Sequence, residues 1–337
     1  MRSAFITGLA GLELTTVEAA LLKAARPAGI ILFQRNVADP AQVRRLIAAA
    51  RAAVAAEDFL VLIDQEGGRV QRLRPPYWRQ MPAAASYGAA YAFDPAGTQR
   101  AARLAAGLMA MELIALGINT SCAPVLDVPV RGSHDIIGDR AYGTTPEQVI
   151  ALGRAVAEGL LAGGVLPVMK HMPGHGRANQ DSHLALPRVD APRADLEAAD
   201  FVPFRALAQL PAAMTAHVVF AAIDPVQPAS VSPRVTAEVI RGSIGFEGLL
   251  MSDDLGMSAL SGSMPERALA VIAAGSDLAL LCRGDAAELE AVAAVVPQLQ
   301  GLGLARFERA CAAIGPAQAL DVAEAEACVA EVLRASA

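Results

Sequence analysis

Hydrophobic positions along the chain gather into eight short runs, at residues 4–7, 29–33, 59–64, 118–122, 165–170, 212–217, 249–253 and 277–281. Most are rich in Val, Ile and Leu, and longer alanine-rich stretches with helical spacing separate them. Apolar runs of this length, with no polar alternation, mark strands buried on both faces; their regular alternation with helices implies a parallel sheet covered on both sides. The helical stretches carry readable ends. Thr145-Pro146-Glu147-Gln148 predicts a capping box with proline at the first helical position, and Gly163-Gly164 predicts the close of that helix. Ser232-Pro233 opens another in the same way.

Eight strand-then-helix steps without a compositional break predict a closed (β/α)8 barrel of the TIM type, with an open doubly wound sheet as the alternative. The nucleotide-binding version of that alternative is disfavoured. No G-x-x-x-x-G-K-[ST] occurs, and no G-x-G-x-x-G follows the first strand. With no low-complexity linker, the expectation is a single catalytic domain over residues 1–337, ending in C-terminal helices from about residue 301.

Composition narrows the class. Hydrophobic residues are 54% and charged residues 18% of the chain, too apolar for disorder. A formal charge of −6 and only 4% aromatic residues argue against a nucleic-acid partner. The longest uncharged stretch, 206–223, contains Gln209, Pro211, Thr215 and His217, so it predicts no membrane span. Residues 4–12 faintly imitate a signal peptide, but Thr7, Gly8 and Gly11 interrupt the run and Glu13 follows, so a buried first strand is the better reading. Cys122, Cys282, Cys311 and Cys328 show no C-x-x-C spacing and read as small buried residues in a reducing compartment. A soluble cytoplasmic protein is expected.

In a barrel of this kind functional groups collect where strands end and loops begin. The third run ends in Asp64 and the segment 64–72 (DQEGGRVQR), the fifth in Lys170 and 170–176 (KHMPGHG), and the seventh in 252–257 (SDDLGM); the loop after the fifth carries Asp181-Ser182-His183. Of Asp253 and Asp254, one can cap the following turn while the other points inward as a catalytic carboxylate. His171, His175 and His183 fall within thirteen residues and Asp181 joins them, which invites a metal-dependent hydrolase. The spacing suits a metal poorly, because Pro173 and Gly174 break any helix that would align the first two histidines. His175 reads better as fixing the backbone of a glycine-rich turn. Asp181 and His183, two apart on a loop, can form an oriented carboxylate–imidazole pair for proton transfer.

Lys170 stands out for another reason: Lys23 and Lys170 are the only lysines among 28 basic residues. A compact ammonium at a strand end suits either a Schiff-base nucleophile or a hydrogen-bond donor to substrate oxygens. Asp64, Arg72 and Arg140 suit a substrate bearing hydroxyls and carboxylates. Arg69, Arg74 and Arg79 read as rim salt bridges of little energetic weight.

Taken together, the four segments 64–72, 170–176, 181–183 and 252–257 resemble the family 3 glycoside hydrolases, and the resemblance runs from residue 30 to the helix after Met257. It implies a (β/α)8 barrel that works without cofactor or metal. Asp253 would be the nucleophile, and the Asp181–His183 pair the acid/base. Asp64, Arg72, Arg140, Lys170 and His171 would bind a terminal N-acetylglucosamine. The implied activity is a retaining exo-β-N-acetylglucosaminidase acting on a small-molecule muropeptide or aminosugar substrate in peptidoglycan recycling. Met172 stands where phenylalanine is usual in that family and Asp139 where glutamate is common; neither change removes a functional group. Many relatives carry a second α/β domain that supplies the acid/base, and the length of this chain leaves the expectation that the 181–183 loop supplies it instead. The rival readings are the metal-dependent hydrolase, a Lys170 lyase and a non-catalytic sugar-binding barrel.

Overall fold

The computed structural model describes residues 2–182 and 186–334. All eight apolar runs form strands: β1 (Ser3–Gly8), β2 (Pro27–Leu32), β3 (Leu60–Ile63), β4 (Thr120–Ser121), β5 (Leu166–Met172), β6 (Ala212–Thr215), β7 (Leu249–Asp254) and β8 (Leu278–Leu281). They close in sequence order into one barrel, each strand parallel to its neighbours and β8 pairing back onto β1. The open-sheet alternative is excluded. The main difference from the expected bounds is β4, which is shorter. There the Asn119 side chain takes over two ladder positions, accepting from Val61 N–H at 2.7 Å and donating to the Phe59 carbonyl at 3.0 Å. Pairing with β5 resumes beyond Pro124, where Leu126 N–H donates to the Lys170 carbonyl at 2.7 Å.

Side-chain alternation sorts the strands into two packing layers. Ala4, Ile6, Leu60, Leu62, Leu166, Val168, Leu249, Met251, Leu278 and Leu280 fill the barrel interior. Their neighbours Phe5, Val61, Ile63, Ala279 and Leu281 face outward into the layer formed with the helices. A continuous apolar run is needed because both sides of every strand are covered.

The expected caps hold in part. Thr145 caps the helix Pro146–Ala162 by accepting from Gln148 N–H, but the reciprocal half of the capping box is absent. The Gln148 amide instead donates to the Gly88 carbonyl at 2.6 Å, because a neighbouring helix, Ala84–Tyr91, lies close enough to claim it. Ser232 caps as expected, accepting from Val235 N–H at 3.1 Å, although the turns that follow, Val235–Ser243, are wound as a π-helix. Helices Gly301–Ala312 and Val322–Arg334 end the described chain. Among the described residues no helix is long and apolar enough to cross a membrane.

Helices Pro95–Ile114 and Pro146–Ala162 pack directly against each other, and their approach depends on Gly159. A Cβ there would lie 2.2 Å from the Arg103 carbonyl oxygen and 2.8 Å from Ala106 Cβ. In an isolated helix Gly159→Ala would gain up to about 1 kcal/mol of propensity. Here we expect it to destabilise by about 2 kcal/mol net, as overpacking forces the helices apart. Denaturant unfolding of the variant tests this; equal or greater stability would show that the two helices separate without cost.

Candidate active site

The alternation that fills the barrel also delivers the polar groups. One inward step beyond Leu62 on β3 comes Asp64; beyond Val168 on β5 comes Lys170; beyond Met251 on β7 comes Asp253; beyond Leu280 on β8 comes Cys282. All four line one cavity of about 370 Å³, whose apolar lining includes Ile31, Met214 and Leu280 from the barrel core. The wall also carries Phe33, Glu66, Arg72, Arg140, His171 and His175.

Lys170 is almost fully buried, and its Nζ lies 2.9 Å from Asp64 Oδ1 and 2.6 Å from Glu66 Oε1. Arg72 donates to the other oxygen of Asp64 at 2.9 Å. Arg140 grips Glu66 with two bonds of 2.8 Å each. Burial alone would raise both carboxyls, but the surrounding cations outweigh it: Asp64 is held well below the usual carboxylate range and Glu66 at about 2. For Lys170 burial works to lower the pKa, and the two carboxylates push it up instead. Held between two carboxylates at hydrogen-bond distance, the ammonium is placed as a charged donor and not as a Schiff-base nucleophile, which disfavours the lyase reading.

Behind this cluster stands Asp127, fully buried on the segment after β4. Its Oδ2 accepts from His171 Nδ1 at 2.6 Å and its Oδ1 from His175 N–H at 2.6 Å. A carboxylate only accepts, so His171 carries its proton on Nδ1; in the neutral ring Nε2 is then an acceptor, 3.4 Å from Arg140 Nη2. The backbone of His175 is fixed as expected, and its ring also reaches Ser182 Oγ at 3.3 Å. Burial, together with the neighbouring His171, holds that ring down at about 4, so it stays neutral. Ser182 lines the cavity and Asp181 lies partly exposed beside it, while His183 falls outside the described residues. Among the described residues no three His, Cys, Asp or Glu side chains are grouped so as to hold a metal ion.

The two aspartates at the end of β7 divide their roles. Asp254 accepts from Gly256 N–H at 2.9 Å and from Cys282 N–H at 3.0 Å, pinning the turn to β8. The Asp253 carboxylate lines the cavity, and its Oδ1 accepts from Asp254 N–H at 2.8 Å. Burial would raise its pKa, but His217, His171 and that backbone bond bring it below the ordinary value, so it is ionised at neutral pH.

Three roles escaped the reading of the sequence. Glu66 was visible inside its motif but had no assigned task. Asp127 is a lone acid in the apolar stretch 123–130, a signal that a buried partner was needed. Arg69 is more than a rim salt bridge. Besides Asp139 at 2.8 Å, it donates to the carbonyls of Asp135, Ile136 and Ile137, tying down a loop whose two isoleucines wall the cavity. Arg79, by contrast, pairs with Glu112 and Glu326 and takes no part in the lining of the cavity.

A closed barrel whose strand ends hold carboxylates, cations and imidazole around one cavity has the layout of a barrel enzyme, and carboxylates so placed suit hydrolysis of a sugar. The Glycosyl hydrolase family 3 N terminal domain matches residues 6–314, and the chain belongs to that family of glycoside hydrolases. The beta-hexosaminidase of Alkalilimnicola ehrlichii is 46% identical over 296 residues, covering 87% of this chain and 83% of that protein. The crystal structure of NagZ from Neisseria gonorrhoeae in complex with N-trifluoroacetyl-D-glucosamine is similar, with a TM-score of 0.87 at 31% identity over 100% of this chain and 98% of that one. A family 3 beta-N-acetylglucosaminidase from Paenibacillus sp. str. FPU-7 gives a TM-score of 0.85 at 34% identity; 98% of this chain is covered, but only 66% of that longer protein.

The ion cluster has a measurable signature. Removing one partner of a buried ion pair costs on the order of 3–5 kcal/mol, so Lys170→Met should be destabilised by about that much at neutral pH. Asp64 and Glu66 are depressed in the folded state. Their stabilisation is therefore present above the unfolded carboxylate range of about 4 and is lost as pH falls, for Glu66 toward about 2 and for Asp64 further down. Without the ammonium the same carboxylates rise, and acid relieves rather than harms the variant. Unfolding free energies measured at neutral and acidic pH should show the gap between variant and wild type narrowing on acidification. A gap independent of pH would refute the cluster as described.

Proposed function

We propose that this glycoside hydrolase is a retaining exo-β-N-acetylglucosaminidase. It would release terminal N-acetylglucosamine from muropeptides of the GlcNAc-1,6-anhydro-MurNAc type, with or without the peptide, as a cytoplasmic step of peptidoglycan recycling. The observation that carries the reading is the ionised Asp253 carboxylate standing in the same cavity as the Asp64–Lys170–Glu66–Arg140 cluster. The names of the relatives and the acylated glucosamine bound in the Neisseria gonorrhoeae NagZ support the sugar.

In this mechanism Asp64, Arg72, Arg140, Lys170 and His171 hold the hydroxyls and the acetamido group of the terminal sugar. Asp253 attacks the anomeric carbon as the glycosidic C–O bond breaks, and protonated His183, oriented by Asp181, delivers its proton to the departing oxygen. Water then attacks the anomeric carbon of the glycosyl-enzyme, giving a proton to neutral His183 and freeing the Asp253 carboxylate. No cofactor or metal takes part. The whole chain acts as one catalytic domain.

Hydrolysis of an aryl N-acetyl-β-glucosaminide beside the plain β-glucoside is the direct test, with clear preference for the former expected. Asp253→Asn should lower kcat at least about 1000-fold while Asp254→Asn, if folded, keeps more activity. Retention by Asp253→Asn would defeat the assignment. His183→Ala should depend on the leaving group: an activated phenol needs little protonation, so glycosylation is spared and deglycosylation slows, whereas a sugar leaving group loses both steps. Equal losses on the two substrate types would rule out proton transfer by His183.

A further inference from the structure

His217 lies just beyond β6, fully buried, on none of the segments to which the proposed chemistry is assigned. Its Nε2 is 2.9 Å from the carbonyl oxygen of Asp254, and its Nδ1 is 2.6 Å from Ser230 Oγ. A carbonyl can only accept, so Nε2 bears the proton and donates; Nδ1 is then bare and accepts from the Ser230 hydroxyl. Burial holds the ring below its usual range, and one neutral tautomer is therefore kept at physiological pH. Ser230 is in turn set by its own N–H, which donates to the Ala216 carbonyl at 3.2 Å.

Asp254, which receives the His217 bond, is held at three points. Its carbonyl accepts from His217 at 2.9 Å and more weakly from Met257 N–H at 3.2 Å, its carboxylate accepts from Gly256 and Cys282, and its N–H donates to Asp253 Oδ1. The last of these bonds acts directly on the carboxylate that faces the cavity. Movement of the Asp254 backbone would therefore carry the Asp253 oxygens with it. An aliphatic or phenyl side chain would fill the His217 site without the cost of burying a polar ring, so the imidazole is there for its two bonds.

We propose that His217 is a positioning residue for Asp253, fixing through the Asp254 carbonyl the backbone from which the nucleophile reaches the anomeric carbon, with Ser230 selecting the tautomer that can do so. This rests on the assignment of Asp253 as nucleophile. Attack requires reacting atoms about 3–3.5 Å apart, and a misplacement of about 1 Å costs on the order of 100-fold. The groups proposed to grip the sugar come from β3, β5 and the loops after β3 and β4, so ground-state binding is independent of His217.

The experiment compares His217→Phe, His217→Gln, Ser230→Ala and Asp253→Asn with wild type. For each it measures kcat on an aryl N-acetyl-β-glucosaminide, the inhibition constant of free N-acetylglucosamine and the melting temperature. His217→Phe should lose about 100-fold in kcat with the inhibition constant within about threefold of wild type. His217→Gln, whose amide can donate where Nε2 does, should recover about tenfold of that loss, and Ser230→Ala should fall between. If the phenylalanine variant does not fold, Ser230→Ala carries the test, with a loss in kcat at unchanged inhibitor binding expected. The proposal is overturned if the folded phenylalanine variant, or Ser230→Ala in its stead, keeps wild-type kcat. It is equally overturned if inhibitor binding falls in step with kcat. An active Asp253→Asn would instead show that the nucleophile assignment, and with it the whole reading, has failed.

Discussion

Lys170 reaches from the inner face of β5 into a space where its ammonium meets Asp64 at 2.9 Å and Glu66 at 2.6 Å, with almost no access to water. Each ion so buried has lost several kcal/mol of hydration, and only close opposite charge offsets that loss. The mouth of the barrel is arranged around this requirement. Arg72 answers the second oxygen of Asp64, Arg140 answers Glu66 bidentately, and Asp127 stands behind His171. The partners come from β5, the end of β3, the short antiparallel turn of Gln65–Gly67 with Val70–Gln71 after it and the segments after β4, so satisfying the charges also joins these elements. In a chain that otherwise uses arginine, the lysine fits its place: a compact ammonium can sit between two carboxylates where a planar guanidinium would force them apart.

The barrel was legible because both faces of its strands are buried, which leaves uninterrupted apolar runs, and all eight runs identified in the sequence became strands. The polar groups at the ends of β3, β5 and β7 were legible for the same reason, since an acid or lysine ending such a run has only the cavity to enter. Legibility ended where a residue acts through a partner distant in sequence. Glu66 faces Lys170 across 104 positions, a pairing that no local pattern announces. Asp127 earns its place only once His171 and His175 are seen above it. Gln148 was misjudged because the capping-box pattern is local, whereas the Gly88 carbonyl that claims its amide belongs to a packed neighbour. His217 looked like one more polar residue in an uncharged run, and only its two hydrogen bonds distinguish it.

Charge compensation and backbone anchoring thus share the mouth but occupy different parts of it. Asp64, Glu66, Lys170, Arg72 and Arg140 are bound together by ionic contacts on the side of β3 to β5. On the side of β6 to β8 the ties run instead through neutral donors and backbone groups: the His217 ring, the Cys282 N–H and the Gly256 N–H all converge on Asp254. Neither set shares a hydrogen bond with the other. The two sides still meet electrostatically, since His171 and Lys170 both help to hold the Asp253 carboxyl low.

That division of the rim is also a division of the chain. Because strand order around the barrel follows sequence order, the ionic half is encoded mainly before residue 172 and the anchored half after it. On the proposed assignments, the groups that grip the sugar and the carboxylate that attacks it therefore lie on opposite sides of residue 172 in the chain, although they meet in one cavity.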